Sequence, residues 1–362
     1  MNVYTVTYLN RNYGSILQAY ALQSCLKTFG ANPVVIRKLI RRRFPRLHFI
    51  IQLLKPEKNY TFIQRVQRWL DSKKYAEKNA KLNQFIRDNI ATQHVENVAA
   101  FLRSVSQDDL FLAGSDQIWS TLNGPLSPWY SFQWLDSKFR KYSYAASLGQ
   151  GELTREQIQG YASGLAQFQV VSLRESQAVR ALQPVFPDKI RQDLDPTLLH
   201  DGSFWRSLAS PRLVKEPYVF VYMLRLDVRV IELAQKIAAE KGCKVIYTGL
   251  YAHTYRGVTT VCNAGVEDFL SYINHAEVVV TNSFHGTAFS VMFEKPFLSV
   301  GIASTSARVE NLLGMTGLMS QYVTDIQAPH SLTPDFTHAL DVLSKERAKS
   351  LSYLQSICQP CA

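Results

Sequence analysis

The chain reads as an α/β protein of two doubly wound parallel domains in tandem, with a cleft between them. Three observations carry that expectation. Short apolar, β-branched runs alternate with helix-length stretches whose apolar residues recur every three or four positions. The length, 362 residues, exceeds what one ordinary core absorbs. The stretch "SLASPRLVKEPYVFVYML" carries two prolines and separates two rounds of the same alternation.

The elements follow in order. "VYTVTYL" is a strand of β-branched and aromatic residues. "SILQAYALQSCLKTF" is a helix: Leu17, Ala21 and Cys25 recur every four residues beside Ile16 and Tyr20, and Gly30 stops it. "NPVVIRK" is the second strand. "DLFLAGSDQIW" is a strand entering a glycine turn, and "KYSYAASLG" is another with a similar ending. "QVVSLRES" and "IRQDLDPTLL" supply two more. The break at about 211–217 then resets the pattern. "YVFVYML", "CKVIYTG", "EVVVTNS" and "PFLSVGI" read as strands. "DVRVIELAQKIAAEKG", "GVEDFLSYINHA" and "GTAFSVMFEK" read as the helices between them, and a last helix runs from about Asp335 to Gln355. The resulting units are 1–212, with a basic helical insert at about 37–90, then 213–330, then a terminal helix and tail over 331–362.

Charge is unevenly spread. The formal net charge is +11, yet 15 Lys or Arg against 3 Asp or Glu fall between Arg37 and Arg87, so the remainder is near neutral. Within that segment Phe49, Ile50, Ile51, Leu53 and Leu54 interleave with the cations. A solvated basic insert and an anionic membrane-surface helix both fit that mixture. No nucleic-acid-binding motif accompanies it, so nucleic acid is not an expected partner.

Other classes are excluded by what is missing. There is no run of 18 uncharged apolar residues, no secretion-signal pattern, no Walker loop, no GxGxxG after the first strand and no GxSxG elbow. Five scattered cysteines indicate a reducing, cytoplasmic setting rather than a disulfide framework. Cys358 and Cys361 form a terminal CxxC without a second pair, so no metal site is expected.

Polar and glycine residues collect where strands end: "NRNYG", "GSDQIW", "SLG", Arg174-Glu175 and "SFHG". In open α/β sheets that end binds ligands. "VVVTNSFHGTAFS" is the most informative of these stretches. If Gly286 and Thr287 open a helix, their amides face the cleft and suit an anion. His285 beside them is a proton donor near neutrality, and Arg308 in the next loop holds an anionic oxygen. A turn-shaping role for His285 fits the local residues equally well.

Taken together and in this order, "NYGSILQAYALQ", "LAGSDQIW", "YSYAASLG", "VSLRES", "DPTLL" and "TNSFHG" resemble the polysaccharide pyruvyl transferase family, over Asn12 to about Leu313. The resemblance implies two Rossmann-like domains of the glycosyltransferase B type with a terminal helix bridging back. It implies transfer of the enolpyruvyl group of phosphoenolpyruvate, a co-substrate, to two sugar hydroxyls; with no DxD pair and no His-rich metal spacing in the sequence, a reaction without metal or other cofactor is expected. It implies His285 as general acid. The donor would lie against Asn282, Ser283, Gly286, Thr287 and Arg308. Ser283 stands where relatives often carry Arg, a gap for Arg308 or Arg174 to fill. The acceptor candidates are Asn12, Tyr13, Gly14, Asp116, Gln117 and Ser147. Asp116 is either the proton acceptor or a helix cap, and Tyr13 or Trp119 would stack on a sugar. The acceptor would be a polysaccharide or lipid-diphosphate-linked sugar, with the basic segment 37–87 docking the cytoplasmic enzyme at the inner membrane face. A nucleotide-sugar-dependent glycosyltransferase of the same architecture, and a non-catalytic scaffold, are the competing readings.

Overall fold

The computed structural model describes residues 1–38, 75–150, 152–249, 253–301 and 306–359. The most basic part of the insert, with Arg41 to Arg43 and the interleaved apolar residues, lies outside these, as does Cys361.

The first sheet contains β1 (Asn2–Val6), β2 (Asn32–Lys38), β3 (Thr92–Val95), β4 (Leu110–Ala113) and β5 (Arg140–Ser143), all parallel, in the order β3-β2-β1-β4-β5. A parallel pair, β6 (Val171–Leu173) and β7 (Ile190–Gln192), continues it through the bridges Tyr142↔Val170 and Ala146↔Leu173. The second sheet comprises β8 (Tyr218–Met223), β9 (Lys244–Gly249), β10 (Val258–Thr260), β11 (Val278–Thr281), β12 (Phe297–Val300) and β13 (Tyr322–Val323). Its order is β10-β9-β8-β11-β12-β13, again all parallel. Every residue of β4, β8, β11 and β12 is buried, which is why these strands read as unbroken apolar runs rather than alternating ones.

Helices link the strands: α1 (Tyr13–Thr28), α2 (Ala76–Asn89), α3 (Val98–Arg103), α4 (Arg155–Gly164), α5 (Ser176–Leu182), α6 (Gly202–Leu208), α7 (Val228–Lys241), α8 (Val266–Asn274), α9 (Phe284–Met292), α10 (Ser306–Met315) and α11 (Phe336–Ile357). Seven have a local reason to start. Asn12, Asn97, Thr154, Asp201, Asp227, Ser283 and Asp335 all cap a helix with the side chain. Gly242, in the left-handed region at φ 65°, ends α7.

The two sheets are not loosely tethered. One apolar cluster joins Tyr13, Ile16 and Leu17 of α1 to Tyr222, Phe269, Phe284 and Phe289 of the second unit. That explains why α1 is buried around most of its circumference instead of along one stripe. Helix α11 returns to the first sheet, where Tyr353, Leu354 and Ile357 pack with Val3, Leu22 and Tyr144, and Tyr353 donates to the Ser143 carbonyl at 2.8 Å.

Three sequence expectations change. "IRQDLDPTLL" is a strand only over Ile190–Gln192. Pro196 lacks an N–H, and Asp195 instead caps the 3₁₀ turn Pro196–Leu199 through Thr197. "KYSYAASLG" is a strand only over Arg140–Ser143, because Ala145 takes a positive φ of 43°, and Ala146 then makes a single bridge to Leu173. Helix α9 starts at Phe284, two residues ahead of the expected Gly286, because Ser283 caps it.

Candidate functional site

Both sheets reverse strand order beside their central strand, β1 against β4 and β8 against β11, so the loops after these four strands converge on one seam. The sequence candidates lie there, with varied jobs. Asn282 stitches two loops of its own domain: it accepts from the Leu224 amide at 3.0 Å and donates to the Arg225 carbonyl at 2.7 Å. Ser283 accepts from the Gly286 amide at 3.4 Å, and the Thr287 amide bonds the Ser283 carbonyl at 3.0 Å. Gly286 lets the helix meet its strand, since a Cβ there would sit 2.4 Å from Thr281 Oγ1. Gly286 and Thr287 therefore do not offer free amides, contrary to the sequence reading. With α9 starting earlier, those amides belong to Phe284 and His285, which hold no bond among the described residues.

His285 sits in the first turn of α9 with 4% of its surface exposed. Its ring is wedged across the seam. On one side is Gly14 of α1, where a Cβ would lie 2.0 Å from Nδ1. On the other is Asp195, whose Oδ2 is 3.7 Å from Nε2. Asp195 Oδ1 accepts from the Thr197 amide at 2.9 Å and hydroxyl at 2.7 Å, which fixes the carboxylate. Arg174 Nη2 reaches Oδ2 at 2.7 Å, off-line enough to make an ion pair rather than a hydrogen bond, and also donates to Ser115 Oγ. Burial alone would raise the Asp195 pKa, but the Arg174 guanidinium and His285 outweigh it and hold the carboxyl well below the usual range.

Arg308, on α10, is buried on the same side. Its guanidinium carbon lies 5.9 Å from the Phe284 ring centroid and that of Arg174 lies 5.1 Å away, so two cations share one aromatic neighbour. Burial first, and then Arg174, lower the Arg308 pKa; Asp116, Glu175 and Asp195 act the other way. Buried N–H groups without hydrogen-bond partners remain on Arg174 (Nε, Nη1) and Arg308 (Nε), while His285 Nε2 and Asp195 Oδ2 face each other at 3.7 Å without a hydrogen bond.

On the first-domain side the expectations divide. Asn12 caps α1 and takes a hydrogen bond from Tyr222 at 3.3 Å. Tyr13 stacks on Phe269 at 4.4 Å and donates to the Ala264 carbonyl, while Trp119 is fully buried and donates to the Tyr130 carbonyl; neither ring is open to a sugar. Ser147 donates to the buried Glu175, whose carboxylate also gathers the Leu148 and Gly149 amides. Gln117 and Asp116 are half-buried. Asp116 caps no helix: at φ 63° it accepts from its neighbour's amide and heads a tight turn.

Four residues of the site were not singled out as candidates: Asp195, Ser115, Glu175 and Phe284. The signal for Asp195 was its place before Pro196-Thr197, a capping pattern that fixes a carboxylate. Among the described residues no cluster of His, Cys, Asp or Glu could hold a metal ion.

Comparisons with known proteins place this geometry. UDP-N-acetylglucosamine 2-epimerase from Rickettsia bellii is similar over 99% of this chain and 98% of its own, at 12% identity and a TM-score of 0.50. UGT89C1 of Arabidopsis thaliana, solved with UDP-L-rhamnose, is similar over 99% of each chain, at 10% identity and a TM-score of 0.53. These likenesses show the glycosyltransferase B type of fold, two Rossmann-like units in tandem. No curated protein matches the sequence. The family described as polysaccharide pyruvyl transferase matches over residues 12–304, most of the chain with Asn12, Arg174, Asp195 and His285, and this chain belongs to that family.

Proposed function

We propose that the protein transfers the enolpyruvyl group of phosphoenolpyruvate to two hydroxyls of one sugar, giving a pyruvate ketal and phosphate. The observation that carries this reading is the set of buried, unpartnered guanidinium N–H groups on Arg174 and Arg308 beside His285. Each buried donor left unpaired costs about 1–3 kcal/mol, so a site that gathers several suits a ligand with many acceptor oxygens. A carboxylate and a phosphate on one small molecule meet that description, and the Phe284 and His285 amides, which hold no bond among the described residues, add to it.

In this reading Arg174 and Arg308 hold the donor's anionic groups, in place of an arginine at Ser283. His285 gives a proton to the methylene carbon, leaving the central carbon electrophilic. One sugar hydroxyl attacks that carbon and passes its proton to Asp116, whence it returns to His285. The bond to the phosphate oxygen then breaks, and the second hydroxyl adds as its proton leaves with the phosphate. One hydroxyl proton thus ends on the new methyl group and the other on phosphate. Asp195 acts on His285 as a positioning residue, and burial of the ring keeps water from the cation.

Phosphate release from phosphoenolpyruvate, measured with and without a panel of sugars, tests this directly. Release that depends on sugar, persists in a chelator and drops at least a hundredfold in His285→Gln is the expected result. Stabilisation by a UDP-sugar with none by phosphoenolpyruvate would favour the glycosyltransferase reading instead.

A further inference from the structure

The acceptor side lost its expected stacking residues, since Tyr13 and Trp119 are core. Two other aromatics stand at the carboxyl end of the first sheet. Tyr8 follows β1 and Tyr130 lies in the loop between β4 and β5. Both are half-buried, resting on the apolar cluster that contains Val6, Phe111 and Trp119. Their rings meet edge to face, with centroids 5.0 Å apart and planes at 77°.

Their backbones are pinned from below. The Tyr8 carbonyl accepts from Ser15 Oγ at 2.7 Å and Gln18 Nε2 at 3.2 Å, and the Tyr130 carbonyl accepts from the Trp119 indole at 2.9 Å. Such rings are preorganised, so little ordering cost falls on a ligand that covers them. Asp116 lies near enough to both phenols to help burial raise their pKa values, that of Tyr130 to about 12. The same carboxylate acts on Arg308, which borders His285. The backbone places Asp116 beside the tyrosines: Val6 pairs with Ala113, and Thr7 Oγ1 donates to the Ser115 carbonyl at 3.1 Å, so Tyr8 and Asp116 leave adjacent strand ends.

We propose that Tyr8, Tyr130 and Asp116 form the acceptor subsite and that it takes a neutral pyranose. The apolar C–H face of the sugar rests on the tyrosine rings, and a hydroxyl pair points to the Asp116 carboxylate. The acceptor role rests on the pyruvyl transfer reading above; the sugar platform does not. A carboxylate accepts from hydroxyls and repels phosphate, which selects a neutral sugar over the sugar-nucleotide diphosphate that bare aromatic stacking would also admit.

Saturation-transfer NMR with a panel of methyl hexopyranosides tests the platform without turnover, and a thermal shift with phosphoenolpyruvate reads the donor site separately. At least one pyranoside is expected to give transfer from the wild type. Tyr8→Ala and Tyr130→Ala should weaken its binding at least fivefold, with the phosphoenolpyruvate shift retained. Tyr130→Phe, which keeps the ring and the fold, should bind within twofold of wild type. Undiminished binding in the folded alanine variants, or no transfer from any pyranoside, overturns the proposal. Sugar binding as expected but no phosphoenolpyruvate shift in the wild type would support the platform and overturn the pyruvyl transfer reading.

Discussion

Gly14 and His285 come from helices of different domains and touch, and that contact makes a sharp residue-scale prediction. A Cβ at position 14 would overlap the imidazole, 2.0 Å from Nδ1. Gly14→Ala should therefore displace the ring and cut turnover at least a hundredfold, in a phosphate-release assay. Asp195 makes a second. Its depressed pKa means that ionised Asp195 stabilises the fold above the unfolded value of about 4, and that this contribution disappears as pH falls through the folded value. Asp195→Asn leaves Arg174 buried without its counter-ion, a loss of about 3 kcal/mol at pH 7, and should flatten the acid limb of a melting-temperature profile. An acid limb as steep in the variant as in the wild type would contradict the assignment. His285 and Arg308 were readable in the sequence because they follow strands. Asp195 was not, because its role depends on Arg174 and His285 arriving from distant parts of the chain.

At the scale of elements, β4, β8, β11 and β12 were legible because parallel, doubly covered strands are apolar throughout, whereas the short, largely uncovered β3 and β10 were not read. Helix starts were less so. The expected start at Gly286 gave way to Phe284 because one serine hydroxyl satisfies an amide, a choice that periodicity does not record. Helix α2, at the end of the basic insert, joins the domains rather than facing solvent alone. Lys78 donates to the Gly249 carbonyl at 2.9 Å and lies over the Tyr13 ring, and Lys81 pairs with Asp268 at 3.1 Å. Burial pushes the Lys78 pKa down to about 8, below its unfolded value of about 10.4. The unfolded chain thus holds the extra proton between these values, so stability from this group rises with pH across that window. Urea unfolding at about pH 8 and about pH 9.5, below the tyrosine range, should show that gain in the wild type and lose it in Lys78→Met. An equal gain in both would remove Lys78 from the account.

At the scale of the molecule, the tandem architecture followed from length, the alternation and the proline break, while the seam did not. Sequence patterns mark which residues are apolar but not that Tyr13 stacks on Phe269 across two units. The charge asymmetry of 37–87 also belongs to this scale. Among the described residues no helix is long and apolar enough to cross a membrane. We propose that the basic segment docks the protein on anionic bilayers, close to a lipid-diphosphate-linked acceptor. Flotation with anionic vesicles should recover the wild type and not a variant with Arg41, Arg42 and Arg43 replaced by Gln; equal recovery would contradict it. The central claim remains the proton that His285 delivers. Mass spectrometry of sugar acceptors incubated with phosphoenolpyruvate in deuterium oxide tests it most directly. The account predicts a pyruvate ketal carrying one solvent deuterium on its methyl group, formed by the wild type and not by His285→Gln. Ketal formed at the wild-type rate by His285→Gln would contradict it.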